Sequence, residues 1–339
     1  MLWLILLVTT ALAAAIFTGV LRRYALSAGL IDHPNARSSH SLPTPRGGGL
    51  AIVTTSLVGM AVLCAFQLLP VRTFIALGGG GIAVAIVGFV DDRRTLSARV
   101  RFIVHVGSAL WCLGWLGGAP PLGFGEHPLT LGWSGYLLGT LSIVWVLNLF
   151  NFMDGIDGIA ASEAVFVTGG GAILLAWLTP ATAGAAAVVA AASAGFLLWN
   201  WPPARIFMGD VGSGYLGYTI AGLGMAAGHE SPPAVWVWLI LGGVFFVDAT
   251  VTLVRRSLRG EKVHEAHRSH AYQWLARRWR AHSPVTWSVV AINILWLMPA
   301  ARLARIYPAA AGWILLGALA PLVVLVLISG AGRHEPSVL

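Results

Sequence analysis

The chain has 339 residues, of which 57% are hydrophobic and only 10% charged, and its mean hydropathy is +0.80. This excludes a soluble globular domain, so the net charge of +8 reads as membrane topology and not as nucleic-acid binding. The two cysteines, Cys64 and Cys112, both lie inside apolar runs, which excludes a disulfide framework and a thiolate metal site.

Apolar windows of about 17–22 residues, the length that crosses a ~30 Å hydrocarbon core, fall near 1–20, 48–69, 73–90, 102–118, 132–150, 159–178, 181–199, 212–228, 234–254, 285–304 and 308–329. They predict an all-α polytopic bundle of eleven spans forming one transmembrane domain over residues 1–339. The count falls to ten if a pair merges at the short turns around Pro180 or RLARIYP. The first span has no Lys or Arg before it and Arg22-Arg23 after it, the reverse of a cleaved signal peptide, so its N-terminus is expected outside. Alternate loops, 21–47, 91–101, 200–211 and 255–284, then carry most of the arginines, while the opposite loops hold only Arg72, Arg302 and Arg305. The basic loops are therefore expected in the cytoplasm, with a periplasmic N-terminus and a cytoplasmic C-terminus. No internal repeat is evident, and the glycine runs at 78–81 and 169–171 read as close helix packing.

Carboxylates are costly near hydrocarbon, yet Asp91, Asp92, Asp154, Asp157 and Asp210 sit where apolar runs end, all on the side of the basic loops. Asp91-Asp92 closes the third span. Adjacent like charges suit a bound cation or a proton relay. The plain alternative, a solvated helix end neutralised by Arg93 and Arg94, is opposed by the helix dipole. Across 151–158 and the turn before it, Asn148, Asn151, Asp154 and Asp157 recur every three residues, on one face if the helix continues, with a glycine after each Asp. Such oxygens suit Mg²⁺ or a nucleotide's ribose and base; the alternative is a DG turn.

Asp210, in the glycine-rich FMGDVGSG that opens the eighth span, is either a metal ligand or a helix N-cap. His264, His267 and His270, three apart with Arg268 among them, suit a phosphate or pyrophosphate site better than zinc; a solvated amphipathic loop is the alternative. The rigid basic turn from Arg37 to Gly49, with Arg46 beside the second span, suits an anionic substrate or lipid head groups. Glu163, Asp248 and His105, within or near spans, are as well explained by interhelical partners and receive no assignment.

Taken in order, RSSHSLPTPRGGG, GFVDD, NLFNFMDGIDG, FMGDVGSG and HEAHRSH resemble the polyprenyl-phosphate N-acetylhexosamine-1-phosphate transferases, from about Asp32 to Gln273. That family includes phospho-N-acetylmuramoyl-pentapeptide transferases and the enzymes that start O-antigen and related glycans on undecaprenyl phosphate. The resemblance implies a Mg²⁺-dependent (or Mn²⁺-dependent) transfer of sugar-1-phosphate from a UDP-N-acetylhexosamine to a polyprenyl phosphate, releasing UMP, at the cytoplasmic face of a bacterial inner membrane. It places Asp91 and Asp92 at the catalytic centre, Asp91 deprotonating or positioning the lipid phosphate, and makes Asp210 and Asn151 metal ligands. Asn148, Asp154, Asp157, Asn200 and Arg101 fall to the nucleotide sugar, and His264, His267, Arg268, His270 and Arg46 to phosphate. The partners implied are the two substrates, downstream glycosyltransferases and a second copy in a homodimer, with no nucleic acid. Thr95 stands where many relatives carry an acidic residue, and HRSHAYQ resembles O-antigen or exopolysaccharide initiators more than pentapeptide transferases. A rival of another class, an ion-coupled transporter, would place its ionisable groups near the bilayer midplane, whereas these collect at one edge.

Overall fold

The computed structural model describes residues 2–34, 42–124, 127–261 and 267–333; His264 and Arg37 to His40 lie outside them. A backbone in hydrocarbon must bond to itself, so each apolar run becomes a helix, broken where Pro, Gly or a polar cluster interrupts it. The elements follow the expected windows. Helix α1 spans Leu2–Ser27, α2 Gly49–Ala65, α3 Val71–Asp91, α4 Ala98–Leu116, α5 Gly132–Met153, α6 Ile159–Leu175, α7 Pro180–Asn200 and α8 Asp210–Glu230. The ninth window holds α9 (Ala234–Leu241) and α10 (Gly243–Leu258). A short helix, α11 (Ala271–Trp279), precedes α12 (Ser283–Ile292), α13 (Met298–Ile306) and α14 (Ala311–Ser329). Two small antiparallel ribbons, Ile31–Asp32 with Thr44–Pro45 and Leu122–Phe124 with His127–Leu129, close loops at either end.

Six helical stretches are long and apolar enough to cross a membrane unaided, and a bent pair would make seven. This is a multi-pass helical membrane protein. The ninth window departs from the expected continuous span: α9 and α10 meet at an angle of 68°. The bend falls at Gly242-Gly243, where a Cβ would strike the Phe246 ring or Leu319. Beyond it α10 turns amphipathic, with Asp248 and Arg256 buried. The tenth window is continuous but passes through a π-helical turn at Asn293–Leu297 that joins α12 to α13.

Helix α8 is the central post: α3 and α5 pack along it, α4 packs on α3, and α7 is gripped by α1 and α6. The glycine run of α3 serves close packing, as expected. A Cβ at Gly79 would enter the Trp111 indole, and Cβ atoms at Gly80 and Gly81 would enter Tyr218 and Tyr215 of α8. Both cysteines are free, Cys112 buried and Cys64 half-buried.

Candidate active site

The two adjacent aspartates at the end of α3 do different things. Asp92 is buried, and its Oδ1 and Oδ2 accept the backbone N–H groups of Asp210 (3.1 Å) and Val211 (3.2 Å). Helix α8 begins on Gly209, which has no side chain to cap it, so Asp92 supplies the cap from the neighbouring helix. The approach needs two glycines. A Cβ on Gly88 would collide with the Asp210 carbonyl, and Gly209, at φ +75°, faces the Asp92 carboxylate. Burial raises the Asp92 carboxyl above the ordinary range, opposed by the two N–H bonds and Arg46. Arg46 in turn donates to the Asp92 backbone carbonyl.

Because Asp92 provides the cap, the Asp210 side chain is released from that role. Its Oδ1 accepts from Asn151 Nδ2 at 2.8 Å, and Asn151 also donates to Ser213 Oγ at 3.0 Å. Asp91 accepts the Leu96 N–H at 2.6 Å and the Arg101 Nη1 at 2.7 Å, and the same Nη1 lies 4.0 Å from Asp210 Oδ2. Ser97 caps α4 and so starts the helix that carries Arg101. Asp91, Arg101, Asn148, Asn151 and Asp210 all border one cavity of about 370 Å³ between α3, α4, α5 and α8. Its wall is apolar at the buried Val84 and Leu147 and at the exposed Phe102, and His105 lies on it one helical turn from Arg101. Asn148 borders the cavity and donates its Nδ2 to the Val144 carbonyl of its own helix at 2.7 Å.

The spacing of three would have kept Asp154 and Asp157 on the same face had α5 continued. It ends at Met153, and residues 154–158 form a turn that closes with Gly158 at φ +74°. Asp157 therefore faces away from the first cavity. Its Oδ2 accepts the Ala204 N–H at 3.0 Å, His282 Nδ1 lies 3.1 Å from Oδ1, and Thr286 donates to its carbonyl at 2.8 Å. It borders a second cavity, of about 550 Å³, with Phe207, Arg268, Arg277, Arg280 and His282. Asp154 stands between the two cavities, half-buried. Burial foremost, then the charges of Asp210, Asp92 and Asp157, push its carboxyl up to about 7. Asn200 is buried and spent on backbone, accepting the Gly158 N–H at 3.1 Å and donating to Ile206 at 3.0 Å.

Of the histidine segment, Arg268 reaches the second cavity. His270 is buried and starts α11, with its ring beside Phe152, His267 and Tyr272. Asp248, left unassigned from sequence, accepts the Ala271 N–H at 2.9 Å and the Tyr272 N–H at 3.1 Å. It thus caps α11 from α10, as Asp92 caps α8 from α3. Tyr272 donates to the Phe152 carbonyl at 2.9 Å, tying α11 to the last turn of α5. His267 accepts from Ser269 through Nδ1, and burial with the neighbouring His270 and Arg256 lowers it to about 3, so it is a neutral ring. Glu163, left without an assignment from sequence, accepts from Asn293 at 2.6 Å, an interhelical partner. Arg277 and Arg280 were read from sequence only as arginines of the basic 255–284 loop, and His282 was not singled out. The amphipathic pattern of AYQWLARRW was the available signal that they belong to a wall.

Among the described residues no three His, Cys, Asp or Glu side chains gather closely enough to cage a metal ion. Asp210 and Asn151 nonetheless stand hydrogen-bonded to each other at the first cavity, and both are residue types that bind a hard cation through oxygen.

Comparison with known proteins gives the same answer as the motifs. Residues 74–228 match the model of glycosyl transferase family 4. The chain is similar to the probable undecaprenyl-phosphate N-acetylglucosaminyl 1-phosphate transferase of Bacillus subtilis, 31% identical over 280 residues that cover 79% of this chain and 75% of that protein. It is also similar to the decaprenyl-phosphate N-acetylglucosaminephosphotransferase of Mycobacterium tuberculosis, 32% identical over 327 residues (85% and 78%). A phospho-N-acetylmuramoyl-pentapeptide-transferase of Synechococcus elongatus is 30% identical over 262 residues (70% and 67%). The chain therefore belongs to glycosyl transferase family 4, among the polyprenyl-phosphate N-acetylhexosamine-1-phosphate transferases.

Proposed function

We propose that this protein transfers N-acetylhexosamine-1-phosphate from a UDP-sugar to a polyprenyl phosphate such as undecaprenyl phosphate, releasing UMP. The step would initiate an O-antigen, exopolysaccharide or other envelope glycan at the cytoplasmic face of a bacterial inner membrane. The observation that carries the reading is the meeting of Asp91, Arg101, Asn151 and Asp210 at one cavity that also has apolar wall residues, with a second cavity rich in arginine. An amphiphile with a phosphate head and a water-soluble anion could each occupy one of them. The relatives' names supply the chemical identity of both.

In this reading the uridine enters the second cavity. Phe207 offers a face to the base, and Arg268, Arg277 and Arg280 attract the phosphates. The diphosphate crosses beside Asp154 into the first cavity. The acceptor phosphate lies against Arg101, which Asp91 holds in place, and its chain runs along the apolar wall. An acceptor oxygen attacks the sugar-bearing phosphorus, the bond to the uridylyl oxygen breaks, and UMP departs. Asp210 and Asn151 would hold Mg²⁺ (Mn²⁺ accepts the same donors). Their small, oxygen-only set suits a hard cation that takes its remaining ligands from water and phosphate. Bound there, the ion would neutralise charge on the transferring group. Asp92 acts indirectly, by fixing the start of α8 and hence Asp210.

The test is to incubate membranes containing the protein with Mg²⁺, undecaprenyl phosphate and a radiolabelled panel of UDP-N-acetylhexosamines. A lipid-linked product with UMP release is expected, and mass spectrometry of that product names the sugar. No product from any donor would refute the reading. Use of UDP-N-acetylmuramoyl-pentapeptide alone would move the enzyme to peptidoglycan synthesis.

A further inference from the structure

A third cavity lies at the same polar end, on the far side of Asp92 from the first. It has about 190 Å³ between the ends of α1 and α3 and the start of α2, with Leu21, Tyr24, Leu50 and Phe89 as apolar wall and Arg46 and Arg93 as its cations. The Arg93 guanidinium lies 3.6 Å over the Phe89 ring, which holds the charge at the cavity. Asp92 also borders it, but its carboxylate is occupied by the Asp210 and Val211 N–H groups and its carbonyl by Arg46. Among the described residues the cavity thus presents two arginines and no other carboxylate.

The apolar wall continues away from the arginines. Leu50, Thr54 and Val58 recur every fourth residue along α2, half-buried at Leu50 and exposed at Thr54 and Val58. The Thr54 hydroxyl is bonded to the Leu50 carbonyl at 2.8 Å, so this stripe offers no unanswered polar group to hydrocarbon. Both α1 and α3 pack on α2, and each carries exposed apolar residues within about one turn of the cavity residues, Val20 and Tyr24 on α1 and Ile86 and Val90 on α3. A cationic pocket opening into an apolar groove parallel to the helices matches one molecule that carries a phosphate at the level of the helix ends and a chain below it.

We propose that this groove binds an anionic glycerophospholipid, with the phosphate between Arg46 and Arg93 and one acyl chain along α2. The acceptor lipid is a poorer match. None of Asp91, Asn151 or Asp210 borders this cavity, and Asp92 with the start of α8 stands between it and them, so a phosphate bound here lies outside reach of the transfer. The lipid would instead brace Arg46, whose bond to the Asp92 carbonyl supports the cap of α8.

Native mass spectrometry of the full-length protein, released from nanodiscs of equal phosphatidylcholine and phosphatidylglycerol, tests this without reference to turnover. One phosphatidylglycerol should be retained in preference to phosphatidylcholine. Arg93→Gln should cut that preference about fivefold, the scale of one basic side chain at an anionic surface. Arg93→Lys should restore most of it, and Thr54→Trp, which fills the groove, should lower retention of both lipids. Equal retention of the two lipids, or a preference untouched by Arg93→Gln, would overturn the proposal. So would displacement of the phosphatidylglycerol by equimolar undecaprenyl phosphate, which would make the groove an acceptor site.

Discussion

The two cavities on either side of residues 154–158 are built alike and charged differently. The first is bordered by Asp91 and Asp210 with Arg99, Arg101 and His105, the second by Asp157 with Arg268, Arg277, Arg280 and His282. Each lies beside a helix whose N-terminus is capped from another helix, α8 by Asp92 and α11 by Asp248. The difference lies in what remains after capping. At α8 the cap leaves the Asp210 carboxylate at the cavity, where it meets the Asn151 amide, a shared arginine and the neighbouring Asp91 carboxyl. At α11 the cap leaves an arginine-bearing helix face, with Asp157 the one carboxylate among the described residues that border the cavity. A carboxylate answered by backbone N–H groups holds the frame; one answered by side chains faces the chemistry. That rule separates Asp92 from Asp210 and puts Asp91, Asp157 and Asp248, each with backbone and side-chain partners, between them.

The sharpest way to break this division is to neutralise each kind in turn. Asp210→Asn and Asp91→Asn should each lower turnover by roughly a hundredfold or more, the scale of losing one group that acts on transition-state charge, with insertion and thermal midpoint kept. Near-normal activity in either would remove it from the first cavity's chemistry. Asp154→Asn should also cost activity, by at least roughly tenfold, but with an opposite mark on stability. Its carboxyl sits at about 7 in the fold against an ordinary 3.8, so the folded chain keeps a proton that the unfolded chain has lost. Stability therefore falls as pH rises from about 4 to about 7, and the penalty is complete above that. In EDTA at pH 8 the Asn variant should melt higher than wild type, and at pH 4 the two should converge. A variant that melts lower at pH 8 would show that Asp154 is held as a charged partner.

For the second cavity the expected effect is smaller and falls on binding. Arg280 ends α11 at φ +53°, a conformation that favours glycine. Arg280→Gly should keep or raise stability while increasing the donor KM about tenfold, the cost of one charge-assisted hydrogen bond, with kcat and the acceptor KM unchanged. A rise in the acceptor KM instead would interchange the two cavities.

Much of this was legible in the sequence because hydrocarbon leaves a chain few choices. Each apolar window holds a helix, and the five aspartates do collect at one end. What escaped was direction at a helix end. Asp91 and Asp92 are neighbours in sequence, but one residue of helical rotation sends one carboxylate to Arg101 and the other to α8, and no pattern of spacing records which. The even spacing from Asn148 to Asp157 promised a single face, and the end of α5 at Met153 divided it between two cavities. The window over 234–254 read as one continuous span, and only the polar residues of α10 explain why the chain bends at Gly242-Gly243. Asp248 and Asn200 carry no sequence signal distinguishing a cap from a ligand, since both need the same oxygen.

The smallest expected effect tests the rule at the opposite end of the bundle. Glu230, the last residue of α8, accepts the Thr182 N–H at 3.0 Å and the Thr182 hydroxyl, and so caps the first turn of α7 from a neighbouring helix. It repeats the device of Asp92 and Asp248 with no cavity of the candidate site beside it. Glu230→Gln keeps an acceptor oxygen and removes the charge, so it should cost no more than about 1 kcal/mol, the usual worth of a cap. Activity per folded molecule should stay at the wild-type level. The thermal midpoint and the specific activity, measured on one preparation, decide it. A loss of specific activity at unchanged stability would mean that strain at one end of α8 reaches Asp210 at the other, and capping carboxylates could then no longer be set apart from the chemistry.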